Sequence, residues 1–494
     1  MYAIERIFAA ASEHGRRVAM VQDGQEYSYH AFYNAIAKAR ARLAARGVVG
    51  GGFAVVVAER ICDAWPVALA LRERNLTTVV VRDAAEIANF SDLDIGYVVV
   101  PIAESRAGLD DRAKAAGAAV ICLGDDLYTG AEDDPLGPPP SGAPGGGHIM
   151  LTSGTTGLYK KVLVDPAFER ANLEEGFNAF AGADGAFVPE PHQVIANLLN
   201  FGLWTVAGYS TPIIIWSRGG AVIFDQTADP VRSFAYPGIT GGVVTPAFLS
   251  QLLRAPPDLV PRNENMQLIV VGGALSMVLA ERTKARLTPR VATTLGSTEA
   301  GGWALTPIER PEDLVWHKVY PARTLQVVDE DDQPLPPGKL GQLRVLLTNG
   351  RTGYYNDPEA SAAFFKNGWF YPGDLAVFDA EGRVALHGRI TDVINVMGDK
   401  HATAPIERAL QDRLGVETVC VMSEQGVGHA EVVHVVIETP QPIAADVIAA
   451  VASAELRGFP GANFHFVETM PRNGMGKVMR VALRQMLLER KAAA

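Results

Sequence analysis

Between Thr152 and Lys160 the chain reads Thr-Ser-Gly-Thr-Thr-Gly-Leu-Tyr-Lys. Glycine lets a backbone turn its N–H groups toward an anion, and Ser and Thr hydroxyls add donors. A lysine at the end of the run brings charge that can reach the outer phosphates. The chemistry implied is phosphate binding, and a Ser/Thr-rich surface turn is the alternative for this run taken alone. It is not the NTPase P-loop, because the GxxxxGK[ST] spacing is absent. Four further stretches follow in order: Gly296-Ser297-Thr298-Glu299, Tyr371-Pro372-Gly373-Asp374, Gly388-Arg389 and Gly474-Met475-Gly476-Lys477. Taken alone, Ser297-Thr298-Glu299 fits a helix N-cap with its first-turn acid. Asp374 fits a β-turn at a strand start, and Arg389 fits a solvated arginine at a turn. Lys477 follows two glycines that permit close backbone approach, after an apolar strand at 464–467 and before a helix.

Together and in this order, the five stretches resemble the adenylate-forming superfamily of acyl-CoA synthetases, carrier-protein-loading adenylation domains and luciferases. The resemblance covers about residues 29–480 and is weakest in the first 150. It implies attack of a carboxylate on the α-phosphate of ATP, giving acyl-adenylate and pyrophosphate, and then displacement of AMP by a nucleophile. That chemistry needs a grip on the leaving pyrophosphate, Mg²⁺, an anchored nucleotide and a cation at the developing charge. By the resemblance, Thr152, Ser153, Gly154, Thr155, Thr156, Gly157 and Lys160 hold the β- and γ-phosphates. Leu295, Gly296 and Ser297 lie where the family contacts the nucleotide. Thr298 bonds the α-phosphate, and Glu299 binds Mg²⁺, a hard cation that prefers carboxylate oxygen. Asp374 and Arg389 hold the ribose, and an ionised carboxylate accepts from both of its hydroxyls. Lys477 neutralises charge between the attacking carboxylate and the α-phosphate.

Gly272-Gly273-Ala274, after a strand, would floor the acyl pocket beside the nucleotide or form a tight βα turn. Phe201, Trp204 and Trp303 would wall that pocket and suit an aromatic or medium apolar acid; core packing is the other reading. Gly353-Tyr354-Tyr355-Asn356 and Gly398-Asp399-Lys400 match family loops in number and order. Residues 395–398 and 403–407 look most like the CoA-ligase branch, with Gly398 beside a pantetheine tunnel. Coenzyme A is therefore the favoured acceptor, with an amine or a carrier-protein thiol as the alternative. Four positions depart from the family pattern. Tyr159 stands for proline, which would fix φ. Leu295 stands for an aromatic residue, so it packs on adenine without stacking. Pro372 stands for Thr or Ser, and Thr391 for Asp or Lys at the hinge.

Composition is consistent with this chemistry and excludes others. A chain of 494 residues is too long for one ordinary core. Its formal net charge of −11 argues against nucleic acid. The three cysteines, Cys62, Cys122 and Cys420, are scattered and build neither a disulfide framework nor a CxxC site. A reducing cytoplasm is the expected compartment. The first residues carry no long apolar run, so no signal peptide is expected. Residues 194–216 are uncharged and long enough to span a bilayer. Their Asn197, Asn200, Gly202, Gly208, Ser210, Thr211 and Pro212 instead predict a buried helix followed by a core strand at 212–216. Histidines are dispersed without an HExxH pattern, and His434 alternates with Val432 and Val436 as a packed strand residue would. No GxSxG elbow is present.

The elements that must position these residues are legible in periodicity. Residues 29–46 predict an amphipathic helix with Phe32, Ile36, Ala39 and Leu43 on one face. Apolar runs at 53–58, 78–81, 97–101 and 118–123, separated by helix-length pieces, predict parallel βα units. A Pro/Gly-rich linker at 135–147 precedes the phosphate loop. A second βα set is expected at about 193–273, with strands at 221–224, 239–244 and 268–271. Antiparallel pieces follow at 342–347, 375–378 and 383–387. The last hundred or so residues read as helix 404–414, strand 431–438, helix 444–457 and helix 478–490. The expected fold is α/β: a large N-terminal domain of two βα-layered subdomains plus a small β-barrel-like subdomain, then a small mobile α+β C-terminal domain. Expected boundaries are 1–388 for the core, 389–392 for a hinge and 393–494 for the domain with the catalytic lysine.

Overall fold

In the computed structural model, residues 2–102, 108–139, 145–153, 159–170, 191–199, 201–224, 229–347, 351–396, 399–425, 431–456, 459, 461–473 and 476–493 are described. The chain forms two compact units. The first comprises Met1–Val243, Ser297–Gly301 and Thr348–Phe365; the second comprises Val244–Gly296, Gly302–Leu347 and Lys366–Ala494.

In the first unit, a six-stranded sheet runs in the order Ala119–Cys122, Ile95–Val100, Phe53–Val57, Thr77–Val81, His148–Ser153, Tyr159–Val164. All neighbours pair in parallel except the last two strands, which form an antiparallel ladder. Near-continuous apolar strands arise because both sheet faces are covered. Val55, Val79 and Val98 accordingly lie in one buried cluster with Phe90 and Leu109. The predicted helix forms as Tyr29–Ala45, started by the Ser28 hydroxyl accepting from the Ala31 N–H. Its Phe32, Ile36, Ala39 and Leu43 are fully buried. A second sheet in this unit sets Ile195–Asn197, Ala221–Phe224 and Val18–Gln22 in parallel, and Gln25–Ser28 turns back antiparallel on the last.

One expected strand is a helix. Residues 212–216 belong to the helix Val206–Trp216, whose N-cap Thr205 accepts from the Gly208 N–H. A short apolar run looks the same buried in a strand or in a helix. Here the cap places the start six residues upstream, and Pro212 lies inside the helix rather than at a strand edge. Among the described residues no helix is long and apolar enough to cross a membrane.

In the second unit, Gln267–Val270 and Arg290–Ser297 pair in parallel. An antiparallel sheet joins Leu325–Val328, Gly341–Leu346, Asp374–Phe378 and Arg383–Arg389, as the turn-dense sequence predicts. Residues 389–392 lie within this unit. Beyond them, Thr418–Gln425, Glu431–Glu438 and Asn463–Val467 form a three-stranded sheet, antiparallel then parallel. Alternation along its strands serves two cores. Val433, Val435 and Ile437 pack with Leu410 and Val451 from the helices Thr403–Leu414 and Ala445–Glu455. Cys420, Met422 and Val436 pack with Leu483 from the helix Arg480–Ala493 on the other face.

Candidate active site

The strands His148–Ser153 and Tyr159–Val164 flank the phosphate-loop sequence, with Thr152 opposite Lys160 in the ladder. Gly154, Thr155, Thr156, Gly157 and Leu158 lie outside the described residues. The Lys160 ammonium sits 3.6 Å from the ring centre of Phe364 and 5.0 Å from that of Tyr354. A cation over aromatic faces is attracted and held by the ring quadrupoles. Lys161 points elsewhere and pairs with Asp92 at 2.8 Å.

Ser297-Thr298-Glu299 is not a helix start. It is the turn between the strands Arg290–Ser297 and Gly301–Pro307, and the Ser297 hydroxyl accepts from the Ala300 N–H at 3.1 Å. The turn buries Glu299 to 7% exposure. Its Oε1 accepts from the Tyr354 hydroxyl at 2.6 Å. Arg351 lies behind the turn and donates to the carbonyls of Thr298 and Glu299, and to that of Leu163 at 3.0 Å. Burial pushes the Arg351 guanidinium down to about 10, against the opposing pull of the Glu299 charge. The next residues bind the phosphate-loop hairpin. The Tyr355 N–H donates to Lys161 O at 2.8 Å, and the Asn356 amide donates to Asp92 O at 2.9 Å. Arg351 was not singled out from sequence, and Gly353-Tyr354 carried only its place in the motif order. The signal available was an arginine three residues before a motif tyrosine, which has no meaning until the fold sets it against Glu299.

Glu299 fits a hard divalent cation. A carboxylate has roughly four lone-pair positions. Tyr354 takes one, and among the described residues no Lys or Arg side chain is ion-paired with Glu299.

In the second unit, Asp374 and Arg389 face each other across neighbouring strands, with Nε 3.2 Å from Oδ1. Arg389 also donates to the Pro372 carbonyl. The glycines before each residue, Gly373 and Gly388, have φ of 80° and 105°, open to glycine and rarely to other residues. Leu295 and Gly296 end the strand Arg290–Ser297. Gly272 has φ of 80° in the turn after the strand Gln267–Val270, and Ala274 follows. A Cβ on Gly273 would come 3.3 Å from Pro246 Cγ. Gly398 lies outside the described residues.

Lys477 belongs to a tight turn. Its N–H donates to Asn473 Oδ1 at 3.0 Å, and the Asn473 N–H donates to Lys477 O at 2.9 Å. Arg472 clamps this turn by donating to Gly476 O at 3.0 Å while pairing with Glu438 at 3.0 Å. A Cβ on Gly476 would come 3.2 Å from Ala247 Cβ and 3.3 Å from Thr245 Oγ1. The turn thus abuts the start of the helix Pro246–Arg254 within the same unit.

The acyl-pocket candidates divide between the units. Phe201 is buried in the first, where Arg82 lies 4.8 Å over the Trp204 ring. Trp303 is buried in the second, and its Nε1 has no hydrogen-bond partner among the described residues.

Residues 7–355 match the AMP-binding enzyme family. The chain belongs to that family. Its relatives include a 4-chlorobenzoate–CoA ligase from an Arthrobacter species, 25% identical over 489 residues that cover 94% of this chain and 91% of the relative. The fatty acid–[acyl-carrier-protein] ligase ScoC of Streptomyces coeruleorubidus is 27% identical over 356 residues, 68% of this chain and 66% of that enzyme. Among solved structures, ATP-bound MatB from Rhodopseudomonas palustris superposes with a TM-score of 0.81 at 21% identity, over 98% of each chain. At that identity the superposition establishes the mixed α/β fold and nothing finer. As a member of the AMP-binding enzyme family, the protein is an AMP-forming ligase.

This AMP-binding enzyme supports its phosphate-loop hairpin with a buried polar network that no sequence motif announces. Arg72 is fully buried, pairs with Glu169 at 2.5 Å, and donates through Nε to Gly146 O at 2.9 Å. The Tyr209 hydroxyl bonds Glu169, and its ring stacks on His148 with centroids 4.3 Å apart. His148 Nδ1 lies 2.8 Å from the Thr78 hydroxyl, and Nε2 lies 2.7 Å from Leu203 O. Burial pulls this imidazole down to about 3, so it is neutral. Neutral His148 donates through one nitrogen and accepts at the other. It thereby ties the base of the hairpin to the segment that carries Trp204.

Proposed function

We propose that this enzyme activates a carboxylic acid with MgATP to an acyl-adenylate and pyrophosphate, and then passes the acyl group to coenzyme A with release of AMP. The observation that carries the reading is a buried carboxylate, Glu299, with spare acceptor capacity. It shares one unit with Lys160 at the flank of a phosphate-loop sequence.

Each side chain then has a task. Thr152 and Ser153, with residues 154–157 and Lys160, grip the pyrophosphate end of ATP. Glu299 holds Mg²⁺, which when bound supplies positive charge to the phosphate oxygens. Thr298 donates to the α-phosphate, while Leu295, Gly296, Ser297, Gly273 and Ala274 line the nucleotide. Asp374 accepts from the ribose hydroxyls, oriented by its ion pair with Arg389. Lys477 brings positive charge to the point where the carboxylate oxygen meets phosphorus, which lowers the barrier by stabilising charge as it develops.

The division proposed is a core of 1–388, a hinge at 389–392 and a domain of 393–494 that turns between the two steps. Arg480 supports it, since its ion pairs with Asp392 at 3.2 Å and Glu407 at 2.7 Å join the hinge to the body of that domain. Coenzyme A is supported by the similarity to a CoA ligase along nearly the whole chain. A carrier-protein thiol is the second reading, favoured by the similarity to ScoC. Phe201, Trp204, Gly272 and Trp303 favour an aromatic or medium apolar acid.

The test is ATP-dependent pyrophosphate release across a panel of carboxylic acids, with and without coenzyme A. An acid-dependent signal that rises with coenzyme A, with thioester seen by mass, is the expected result. A signal indifferent to coenzyme A moves the acceptor to a carrier protein or an amine. No acid-dependent signal overturns the reading.

A further inference from the structure

We infer that Tyr354 is a positioning residue that sets the metal-holding carboxylate and the phosphate-binding lysine relative to each other. This rests on the adenylation reading and adds a residue to it. The hydroxyl of Tyr354 donates to Glu299 Oε1 at 2.6 Å, and its ring lies 5.0 Å from the Lys160 ammonium. One side chain thus touches both charged groups, by its polar end and by its π face.

Two sets of contacts fix Tyr354, and a third fixes the backbone of its partner. Its N–H donates to the Ser361 hydroxyl at 2.9 Å. Its ring meets Phe364 and Phe365 edge-on, with centroids 6.0 and 5.1 Å apart. Arg351, three residues earlier, anchors the backbone of Thr298 and Glu299 to that of Leu163. Tyr354 is buried to 7% exposure, and its hydroxyl is bonded to Glu299 within that packing. A hydroxyl bonded to one carboxylate oxygen leaves the other oxygen as the preferred ligand position. It also removes the rotational freedom that a lone glutamate would lose on binding a cation. The ring does the same for Lys160, since a cation over an aromatic face is localised by the ring quadrupole.

Two readouts separate this role from simple packing. Tyr354→Phe removes the hydroxyl and keeps the ring. Partners that orient metal ligands typically contribute about ten- to a hundredfold in metal affinity. The Mg²⁺ concentration for half-maximal pyrophosphate release should therefore rise by about tenfold, while KM for ATP at saturating Mg²⁺ stays near wild type. Direct Mn²⁺ titration of the enzyme with α,β-methylene ATP, followed by electron paramagnetic resonance, should show the same weakening without turnover. Phe364→Leu removes the nearer ring over Lys160 and leaves the Glu299 bond. It should raise KM for ATP and leave the Mn²⁺ titration unchanged.

Wild-type Mg²⁺ and Mn²⁺ curves for Tyr354→Phe overturn the inference. If that variant does not fold, Tyr354→His, read by the same Mn²⁺ titration, decides, and a wild-type curve overturns the inference. Should wild-type enzyme release no pyrophosphate with any acid, the adenylation reading fails, while the Mn²⁺ titration still decides Tyr354.

Discussion

The Lys477 backbone is held locally: its N–H donates to Asn473 Oδ1, its carbonyl accepts from the Asn473 N–H, and Arg472, anchored on Glu438, donates to the carbonyl of Gly476. Its backbone is therefore set independently of its ammonium, so truncating the side chain should leave the turn intact. Lys477→Ala is expected to lower adenylate formation by about a hundredfold or more, the scale of a lost transition-state charge partner. Turnover of supplied acyl-adenylate should be largely retained, and separate assays of the two half-reactions check this; equal loss in both sinks the proposed domain rotation. Asp374 is paired with Arg389 rather than simply exposed at a turn. Arg389→Gln should raise KM for ATP with a smaller effect on KM for the acid, because only the nucleotide would contact the pair. An equal rise in both would argue for a purely structural pair.

At the scale of elements, the helix Val206–Trp216 is set by its start. Thr205 caps it, and a Cβ added at Gly208 would fall 2.0 Å from Phe201 O. Thr205→Ala should destabilise by about 1 kcal/mol, as for other lost N-caps. Gly208→Ala should cost more, because overpacking forces backbone shifts of about 1–3 kcal/mol. Denaturant midpoints of the two variants rank them, and a Gly208→Ala no worse than Thr205→Ala would show that the 201–202 segment yields easily. The phosphate-loop hairpin has a comparable anchor in His148, which no motif reveals. A histidine at the start of an apolar strand reads as unremarkable until Thr78 and Leu203 close on its two nitrogens.

At the scale of the molecule, buried imidazoles link stability to pH. Burial pulls His148 from 6.5 to about 3 and His317 from 6.5 to about 4. Between those values and 6.5 the unfolded chain binds protons that the native state does not. Stability therefore stands at its full value above pH 6.5 and is lost as pH falls through the window. Wild-type Tm should drop more steeply than that of His148→Gln from pH 6.5 to 4; parallel curves would mean that His148 titrates normally in the folded protein. In the second unit, Glu417 pairs with Arg282 and bonds the Ser250 hydroxyl, which seats the C-terminal segment on the helices Met277–Arg286 and Pro246–Arg254. Glu417→Ala should shift the ratio of the two half-reaction rates, and an unchanged ratio would mean that this contact does not bias the seating.

The sequence by itself determined the family and most of the elements. Motif order named the phosphate-loop run, Glu299, Asp374, Arg389 and Lys477, and periodicity placed the helix Tyr29–Ala45 and the parallel strands, because local spacing is what glycine turns and amphipathic faces depend on. It failed where a choice depended on distant neighbours. Residues 212–216 are helical because a cap at Thr205 and burial on all sides decide between two forms that the apolar run allows equally. Tyr354 meets Glu299 across 55 positions, and Arg72 meets Glu169 across 97. His434 and His465, dispersed in sequence, come within 2.9 Å because their strands pair in parallel. Hydrogen bonds and ion pairs of this kind act over a few ångströms of space. Only the tertiary structure sets which side chains lie within that reach.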